Sequence, residues 1–327
     1  MRDVSPLLSI CIPTYNRPIE LSQLLSSFFD AQLDQIEFVI ADNGTRNLTE
    51  PVVEDFRSKG FNIRSIYHVE NMGVPRNLRS TLYSATGDYC WLMGDDDLVV
   101  SDKIYDLICL LKQESPDLLV VNSSAWNHDF TKQIYSEAFC LSHPSIPCNS
   151  FSCREAGIMV LTFVGSLILK NDPKYICAMD VCLDNDFCYI LSVLTAGKQK
   201  VRIYKNVMVR QRMRLKQTWN KSCRKIFIKD LNQIYDYAIK MGYGNVLVKR
   251  WQKDYLKQAL TRICVSDRVS SGRIDPEILR GLIACYFHSP YLWFVTLPLY
   301  LAPLFILKFL KRVFSWNRSN TCRINAV

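Results

Sequence analysis

The chain has 327 residues, of which 49% are apolar and 22% are charged. That composition is typical of a globular protein and excludes collagen-like, low-complexity and disordered classes. The thirteen cysteines form no CxxC pair, which favours buried thiols in a reducing compartment over disulfides or a zinc site. Residues 1–13 lack the basic stretch, apolar core and cleavage site of a secretory signal, so we expect no such signal.

The net charge of +9 is concentrated in one region of the chain. Residues 198–262 hold eighteen Lys or Arg against three acids, a net charge of +15. Such a surface attracts anionic partners, among them phospholipid headgroups, pyrophosphate and nucleic acid.

The first 125 residues alternate predicted strands and helices. Short apolar runs predict strands, and apolar side chains three to four residues apart predict helices. The predicted elements are strand 7–13, a helix opened by Pro18, strand 36–41, helix 51–59, strand 62–69, helix 74–85, strand 88–93, helix 103–111 and strand 118–122. This order predicts a mainly parallel sheet with helices on both faces.

The pattern is less regular after residue 125. The predicted elements are a loop or irregular hairpin at 126–150, strand 163–170, helix 184–195, strand 199–204 and helical structure over 219–263.

Polar clusters follow three of the predicted strands. Residues 15–17, 42–43 and 94–97 each come directly after an apolar run. Because ligands of such sheets bind at the carboxyl ends of the strands, we expect one site along this edge.

Three consecutive carboxylates, Asp95, Asp96 and Asp97, are the sharpest feature of the sequence. Adjacent carboxylates repel one another, and a cation relieves the repulsion. Hard divalent ions such as Mg²⁺ or Mn²⁺ take one or two carboxylates and complete their shell with water and substrate phosphate. An exposed acidic turn or a helix N-cap is the alternative, but the position after a buried strand favours a metal site.

Other polar residues at this edge have both functional and structural interpretations. Asp42 can accept a hydrogen bond from a base or ribose hydroxyl, or it can stabilise a turn. Tyr15 can stack on a base or fill the core. Arg76 and Asn77 can reach a phosphate or an acidic neighbour, or they can lie on a solvated helix face.

Four segments resemble the motifs of the family 2 glycosyltransferases, in matching order and spacing over residues 7–100. These segments are Ile-Pro-Thr-Tyr-Asn-Arg at 12–17, Ala-Asp-Asn-Gly at 41–44, Asn-Met-Gly-Val-Pro-Arg-Asn at 71–77, and Ala-Thr-Gly-Asp-Tyr at 85–89 leading into Gly-Asp-Asp-Asp at 94–97. The segment 91–97 is most similar to bacterial O-antigen transferases of the abequosyltransferase kind.

The resemblance implies the α/β GT-A fold, a Rossmann-like mixed sheet flanked by helices, and a set of site residues. Tyr15 and Asp42 would contact the nucleotide base and Asp95 would lie near the ribose. Asp96 would be the main ligand of Mg²⁺ or Mn²⁺, with Asp95 or Asp97 as the second. The full nucleotide-sugar-binding set comprises Pro13, Tyr15, Arg17, Asp42, Arg76, Asn77 and Asp95.

Inverting members of the family place a catalytic base about 90 residues after the metal motif, at the start of a helix. The corresponding stretch here is 183–187. A carboxylate there would deprotonate the acceptor hydroxyl. Asp184 is the first candidate and Asp186 the second, with helix capping as the structural alternative.

The C-terminal part is expected to bind membranes. Residues 281–307 carry no Lys, Arg, Asp or Glu, and Lys308, Lys311 and Arg312 follow. The run is long enough to span a bilayer, but three prolines argue against one uninterrupted helix. The basic residues that follow the run favour the cytoplasmic side, and the catalytic part must also meet cytoplasmic nucleotide-sugars. A single span cannot leave both of its flanks on one side of the membrane, so we expect an interfacial or re-entrant element instead. A buried core helix is the alternative.

These observations predict two regions, a GT-A catalytic domain at 1–215 and a basic, membrane-associating region at 216–327. Within the domain, 1–125 would bind the nucleotide-sugar and 126–215 the acceptor.

The expected activity is metal-dependent transfer of a hexosyl or deoxyhexosyl group, with inversion, at the cytoplasmic face of the bacterial inner membrane. The expected acceptor is a lipid-linked (undecaprenyl-type) oligosaccharide for O-antigen or capsule, and no nucleic acid partner is expected. A nucleotidyltransferase that makes nucleotide-sugars is one alternative. Such enzymes normally carry a Gly-rich, basic phosphate-binding loop after the first strand, and residues 15–18 are not such a loop. A non-catalytic basic membrane-binding protein that retains the fold is the other.

Overall fold

The computed structural model describes residues 5–44, 46–139, 145–148, 161–213 and 224–316. The predicted domain boundary at 215/216 lies outside these residues, and the division into two regions stays a prediction. Parts of the predicted 126–150 hairpin also lie outside them.

The strands of the described residues form one mixed sheet. Its order is β3-β2-β1-β4-β9-β6-β10-β5, with β7 paired to β6 and β8 paired to β10. The pairs among β1, β2, β3 and β4 are parallel, whereas β9 runs antiparallel to both its neighbours. The strands are β1 (Leu8–Thr14), β2 (Ile36–Asp42), β3 (Ile63–Tyr67), β4 (Tyr89–Leu92), β5 (Leu98–Val99), β6 (Leu118–Asn127), β7 (Gln133–Tyr135), β8 (Ser145–Cys148), β9 (Leu167–Lys170) and β10 (Val201–Met213).

Helices flank this sheet and continue beyond it to the C-terminal part. They are α1 (Pro18–Ser26), α2 (Arg46–Ser58), α3 (Val74–Ser84), α4 (Ile104–Glu114), α5 (Pro173–Ile176), α6 (Tyr189–Ala196), α7 (Leu231–Lys240), α8 (Asn245–Tyr255), α9 (Thr261–Ser271), α10 (Pro276–Tyr286), α11 (Leu297–Leu301) and α12 (Leu304–Trp316). Short π-helical turns join α8 to α9 and precede α11.

Most predicted elements are confirmed, and several boundaries differ. Strands β6 and β10 continue to Asn127 and Met213, beyond the predicted ends at 122 and 204. Helix α2 begins five residues before Pro51, because a proline near the helix start removes only one internal hydrogen bond. Strand β9 begins at Leu167, after a 3₁₀ turn. Helix α6 begins at Tyr189, so Asp184 precedes the helix instead of opening it.

Two apolar layers sandwich the sheet. The first core layer joins the sheet to α1, α2 and α4 and contains Trp91 and Leu111. The second core layer joins the opposite face to α3 and α6 and to the C-terminal helices, and it includes Tyr235 and Tyr300. Strands β1, β2 and β4 are parallel within this sandwich, so their carboxyl ends meet at one edge, as the sequence predicts.

No single helix among the described residues is long and apolar enough to cross a membrane. The segments Leu292–Leu301 and Leu304–Leu310 reach that length and apolarity only as a pair, and they are bent by 106° at the break between them. The predicted discontinuity of the apolar run is therefore confirmed.

Candidate active site at the carboxyl edge of the sheet

The end of β1 is bonded directly to the loop that contains Asp95, Asp96 and Asp97, here called the aspartate loop. The Thr14 hydroxyl donates a hydrogen bond to Asp95 Oδ2 at 2.9 Å, and Arg17 Nη1 donates to Asp95 Oδ1 at 2.9 Å. The same Arg17 nitrogen lies 3.5 Å from Asp96 Oδ2. Both oxygens of the buried Asp95 carboxylate are thus engaged, one by Thr14 and one by Arg17.

The electrostatics of the loop favour a cation. Burial, only partly offset by Arg17, raises the pKa of Asp95 to about 6. Burial and the neighbouring Asp96 carboxylate raise the pKa of Asp97 well above its usual range. Both shifts show that negative charge is costly here, and a positive ion bound to the loop would offset that cost.

The end of β2 connects to the start of α3. Asn43 Nδ2 donates to the Gly73 carbonyl at 3.0 Å, and its Oδ1 accepts from Met72 N–H at 3.2 Å. Gly73 has φ of +82°, a conformation that favours glycine. Asn77, one turn into α3, donates from Nδ2 to the Thr14 carbonyl at 3.1 Å. The second polar cluster and the start of α3 therefore meet the end of β1 at one place.

Two buried oxygens at this edge have no hydrogen-bond partner among the described residues. Asp42 Oδ1 accepts from Gly44 N–H at 2.7 Å, but Oδ2 is unpartnered. Asn77 Oδ1 is also unpartnered. Buried acceptors are normally satisfied by protein groups or ordered water, so these two oxygens are available to accept from water or from the N–H or O–H donors of a ligand.

The last sheet strand closes the aspartate loop through one arginine. The Arg212 backbone N–H donates to Asp97 Oδ1 at 2.9 Å, and its side-chain Nε donates to the Asp96 carbonyl at 2.7 Å. The guanidinium also donates to Gln23 Oε1 at 2.6 Å and lies over the Phe130 ring at 4.5 Å. Arg212 thus ties the loop to α1 and to the β6–β7 hairpin.

The loop fits a cation that also has substrate ligands. A Cβ atom built on Gly94 would lie 3.1 Å from Asp97 Oδ2 and 3.4 Å from Asp96 Oδ1, so these two oxygens border the same small space. Asp96 is 22% exposed, whereas the Asp95 oxygens are engaged. The described residues contain no group of three or more His, Cys, Asp or Glu placed to hold a metal. The geometry suits an ion with one or two protein carboxylates and phosphate oxygens.

The candidate base lies against the same helix that carries Asn77. Arg76 Nη2 donates to Asp184 Oδ1 at 2.9 Å, so of the interpretations left open for Arg76 the structure shows contact with an acidic neighbour. The Asp184 side chain is 91% exposed and open to an acceptor. Asp186 is half-buried, and its backbone N–H donates to Asp230 Oδ2 at 3.2 Å. Asp184 is therefore linked to Asp95 through Arg76, Asn77 and Thr14.

The structure brings most of the predicted site residues together and adds others. Pro13 is half-buried at the end of β1, and Tyr15 is about half exposed beside it. Sequence reasoning missed the roles of Thr14 and Arg212, and it singled out Asn43 only as part of the second polar cluster. Thr14 and Asn43 are adjacent to singled-out residues, whereas Arg212 lies in a basic strand with no distinguishing local signal.

Removing the Thr14 hydroxyl should destabilise the protein. In Thr14→Val, the buried Asp95 Oδ2 loses its donor, and we expect the free energy of unfolding to fall by about 1–3 kcal/mol. Thr14→Ser keeps a hydroxyl and should stay near the wild type. Urea unfolding followed by circular dichroism measures both variants. Equal stability of the Val and Ser variants would contradict the role given to this hydrogen bond.

The fold has known counterparts. The structure of Staphylococcus aureus TarS 1–349 in complex with UDP-GlcNAc matches with a TM-score of 0.66 and 12% identity, covering 95% of this chain and 92% of that one. The likeness confirms the predicted GT-A fold, the sheet of a large class of sugar transferases. Residues 9–162 match the family model described as Glycosyl transferase family 2.

Two curated relatives align with the N-terminal part. Abequosyltransferase RfbV of Salmonella typhimurium is 39% identical over 103 residues, 30% of this chain and 30% of that protein. The GalNAc(5)-diNAcBac-PP-undecaprenol beta-1,3-glucosyltransferase of Campylobacter jejuni is 24% identical over 104 residues, 32% of this chain and 34% of that protein. The match spans about a third of the length of these relatives.

Proposed function

We propose that this protein transfers a hexosyl or deoxyhexosyl group from a nucleotide-sugar to a lipid-linked, undecaprenyl-type oligosaccharide during synthesis of a bacterial surface polysaccharide. The observation that carries the proposal is the pair of unpartnered buried oxygens, Asp42 Oδ2 and Asn77 Oδ1, beside the aspartate loop. The names of the relatives support it, since one relative is an abequosyltransferase and another acts on an undecaprenol-linked saccharide.

The donor would bind along the carboxyl edge of the sheet. Asp42 accepts hydrogen bonds from the base, Tyr15 stacks on it, and Arg17 and Asn77 face the ribose and diphosphate. The aspartate loop suits Mg²⁺ or Mn²⁺, with Asp96 and Asp97 as the protein ligands. Asp95 is not assigned as a ligand, because its two oxygens accept hydrogen bonds from Thr14 and Arg17. When bound, the ion neutralises the diphosphate and stabilises it as the leaving group.

The acceptor would be activated by Asp184. Its carboxylate takes the proton of the acceptor hydroxyl as the oxygen attacks the anomeric carbon. The bond from that carbon to the diphosphate breaks on the opposite face, the bonding electrons leave with the nucleoside diphosphate, and the configuration inverts. Arg76, which contacts Asp184, holds the carboxylate beside the donor. Asp186 is the second candidate, because its side chain is less accessible.

The cytoplasmic face of the inner membrane is the place where these substrates would meet. Nucleotide-sugars are cytoplasmic, and a lipid-linked acceptor presents its saccharide at the bilayer surface. The excess of fifteen positive charges over residues 198–262 would favour an anionic leaflet.

Donor screening tests the proposal directly. Purified protein is incubated with Mn²⁺, a panel of nucleotide-sugars and membrane extract that contains lipid-linked oligosaccharides, and products are read by mass spectrometry. We expect one donor to give a glycosylated lipid-linked product and free nucleoside diphosphate. Formation of a nucleotide-sugar from a nucleoside triphosphate and a sugar phosphate would instead identify a nucleotidyltransferase.

Asp42→Asn should weaken donor binding. The amide can still accept from Gly44 N–H, but an NH₂ group replaces the unpartnered oxygen and cannot accept a bond from the base. Loss of a charge-assisted hydrogen bond costs about 1.5–3 kcal/mol, so the Kd of the nucleoside diphosphate should rise roughly 10- to 100-fold. Isothermal titration calorimetry measures the change, with Asp55→Asn on the exposed face of α2 as control. Unchanged affinity would remove Asp42 from the donor site.

A further inference from the structure

The C-terminal helices have one face inside the protein and one outside. Leu292, Thr296 and Tyr300 are fully buried. The Thr296 hydroxyl lies 2.8 Å from that of Thr261, and the Tyr300 hydroxyl accepts from Asp275 N–H at 3.0 Å. The inner face is therefore part of the core, and its contacts fix the orientation of the outer face.

The outer face exposes large aromatic side chains. Phe294 is 81% exposed, Phe305 is 73% exposed and Phe309 is 64% exposed. Phe287 and Trp293 are about half exposed beside them, and Trp293 Nε1 donates to the Phe287 carbonyl at 2.8 Å. These five residues are here called the aromatic surface. Large apolar side chains that are exposed along one stretch of chain are a candidate interaction site.

The charged residues after residue 277 have one sign, whereas the acidic residues Asp267 and Asp275 lie near the Tyr300 hydroxyl on the inner face. From residue 278 to residue 327 the sequence contains no Asp or Glu but six Lys or Arg. Of these, Arg280 and Lys308 are exposed; Lys308 precedes Phe309 directly in sequence, and Arg280 lies on α10, seven residues before Phe287. A second copy of the chain would bring like charges together at this face, whereas an anionic bilayer is complementary to it.

We propose that the aromatic surface inserts into the interface of an anionic bilayer, with Arg280 and Lys308 on the lipid headgroups. This inference rests on the proposed function, since a lipid-linked acceptor would lie at the bilayer surface and the enzyme would have to bind there to reach it. Aromatic rings are favoured at the headgroup level. The fully buried inner face and the 106° bend mean that the segment lies on the bilayer while its other side stays packed against the protein.

Vesicle flotation with the full-length protein tests the proposal. The wild type should float with vesicles of phosphatidylethanolamine and phosphatidylglycerol and much less with pure phosphatidylcholine. In the variant Phe294→Ser/Phe305→Ser/Phe309→Ser, partitioning should fall by about 100-fold or more, because burial of each phenylalanine alone is worth roughly tenfold. The matched control, Leu48→Ser/Tyr105→Ser/Val246→Ser, removes exposed apolar side chains elsewhere and should float like the wild type.

Further measurements keep the result unambiguous. All substituted side chains are exposed, so thermal unfolding midpoints should agree, and the single variant Phe305→Glu provides a second test if the triple variant misfolds. Donor hydrolysis without vesicles should be unchanged in the triple variant, which separates a failure of the membrane proposal from a failure of the proposed function. Equal flotation of wild type and triple variant would overturn the proposal. So would a lipid-free wild-type dimer that the triple substitution dissociates, because a second copy would then cover this surface.

Discussion

Asp96→Ala should abolish sugar transfer, with turnover at least about a hundredfold lower than in the wild type. The expected loss is that of a major electrostatic stabiliser of the leaving group. Asp96 is the most accessible carboxylate of the aspartate loop, whereas Asp95 and Asp97 are buried. Its removal should therefore leave the fold intact and weaken binding of Mn²⁺ together with the nucleoside diphosphate. Initial rates and calorimetric titrations with and without Mn²⁺ measure both effects.

A nearby carboxylate provides the control. Asp102 is exposed in the short helical turn that follows β5, and Asp102→Ala should keep wild-type turnover and affinity. An Asp96→Ala protein that transfers sugar at the wild-type rate without added metal would show that the aspartate loop has another role.

Asp184→Asn should lower the transfer rate by on the order of 10²- to 10⁴-fold, the usual contribution of a general base. The amide keeps the size of the side chain and can still accept from Arg76, but it cannot take a proton. Since the loss is confined to the transition state, affinity for the nucleoside diphosphate should stay nearly unchanged. Single-turnover kinetics and calorimetry separate the two quantities.

Two further variants make the assignment specific. Asp186→Asn should reduce the rate much less, because Asp186 is partly covered. Arg76→Met removes the partner that holds Asp184. The carboxylate is retained but is no longer fixed in position, so turnover should fall. Normal activity of Asp184→Asn, with a strong loss in Asp186→Asn, would transfer the role to Asp186. Normal activity of both would point to a retaining mechanism.

The nucleotide-binding half of the fold could be predicted from sequence because its signals are local. The apolar runs of β1, β2 and β4 are short, fully buried and followed by polar clusters, and the rule for ligands of parallel sheets placed those clusters at one edge. Thr14, Asn43 and Asn77 confirm that the clusters meet there.

The parts that could not be predicted depend on contacts between distant residues. Arg212 reaches Asp96 and Asp97 over more than a hundred residues, and nothing in its neighbours distinguishes it from the other basic residues of β10. Helix α6 starts later than the sequence pattern predicts, because a 3₁₀ segment and a turn precede it. The sequence also did not show which residues of the 281–307 run are buried and which are exposed, since apolar residues fill both sides.

The two core layers become complete at different points along the chain. The first core layer takes its last buried member from Val209, whereas the second needs side chains as far as Tyr300. During vectorial synthesis, the α1, α2 and α4 side of the sheet can therefore close while the opposite side still waits for its covering helices. Because Leu292 and Tyr300 complete that covering, the neighbouring aromatic side chains gain a fixed orientation only in the final stage of folding. The first core layer can therefore be complete before the aromatic surface acquires its orientation.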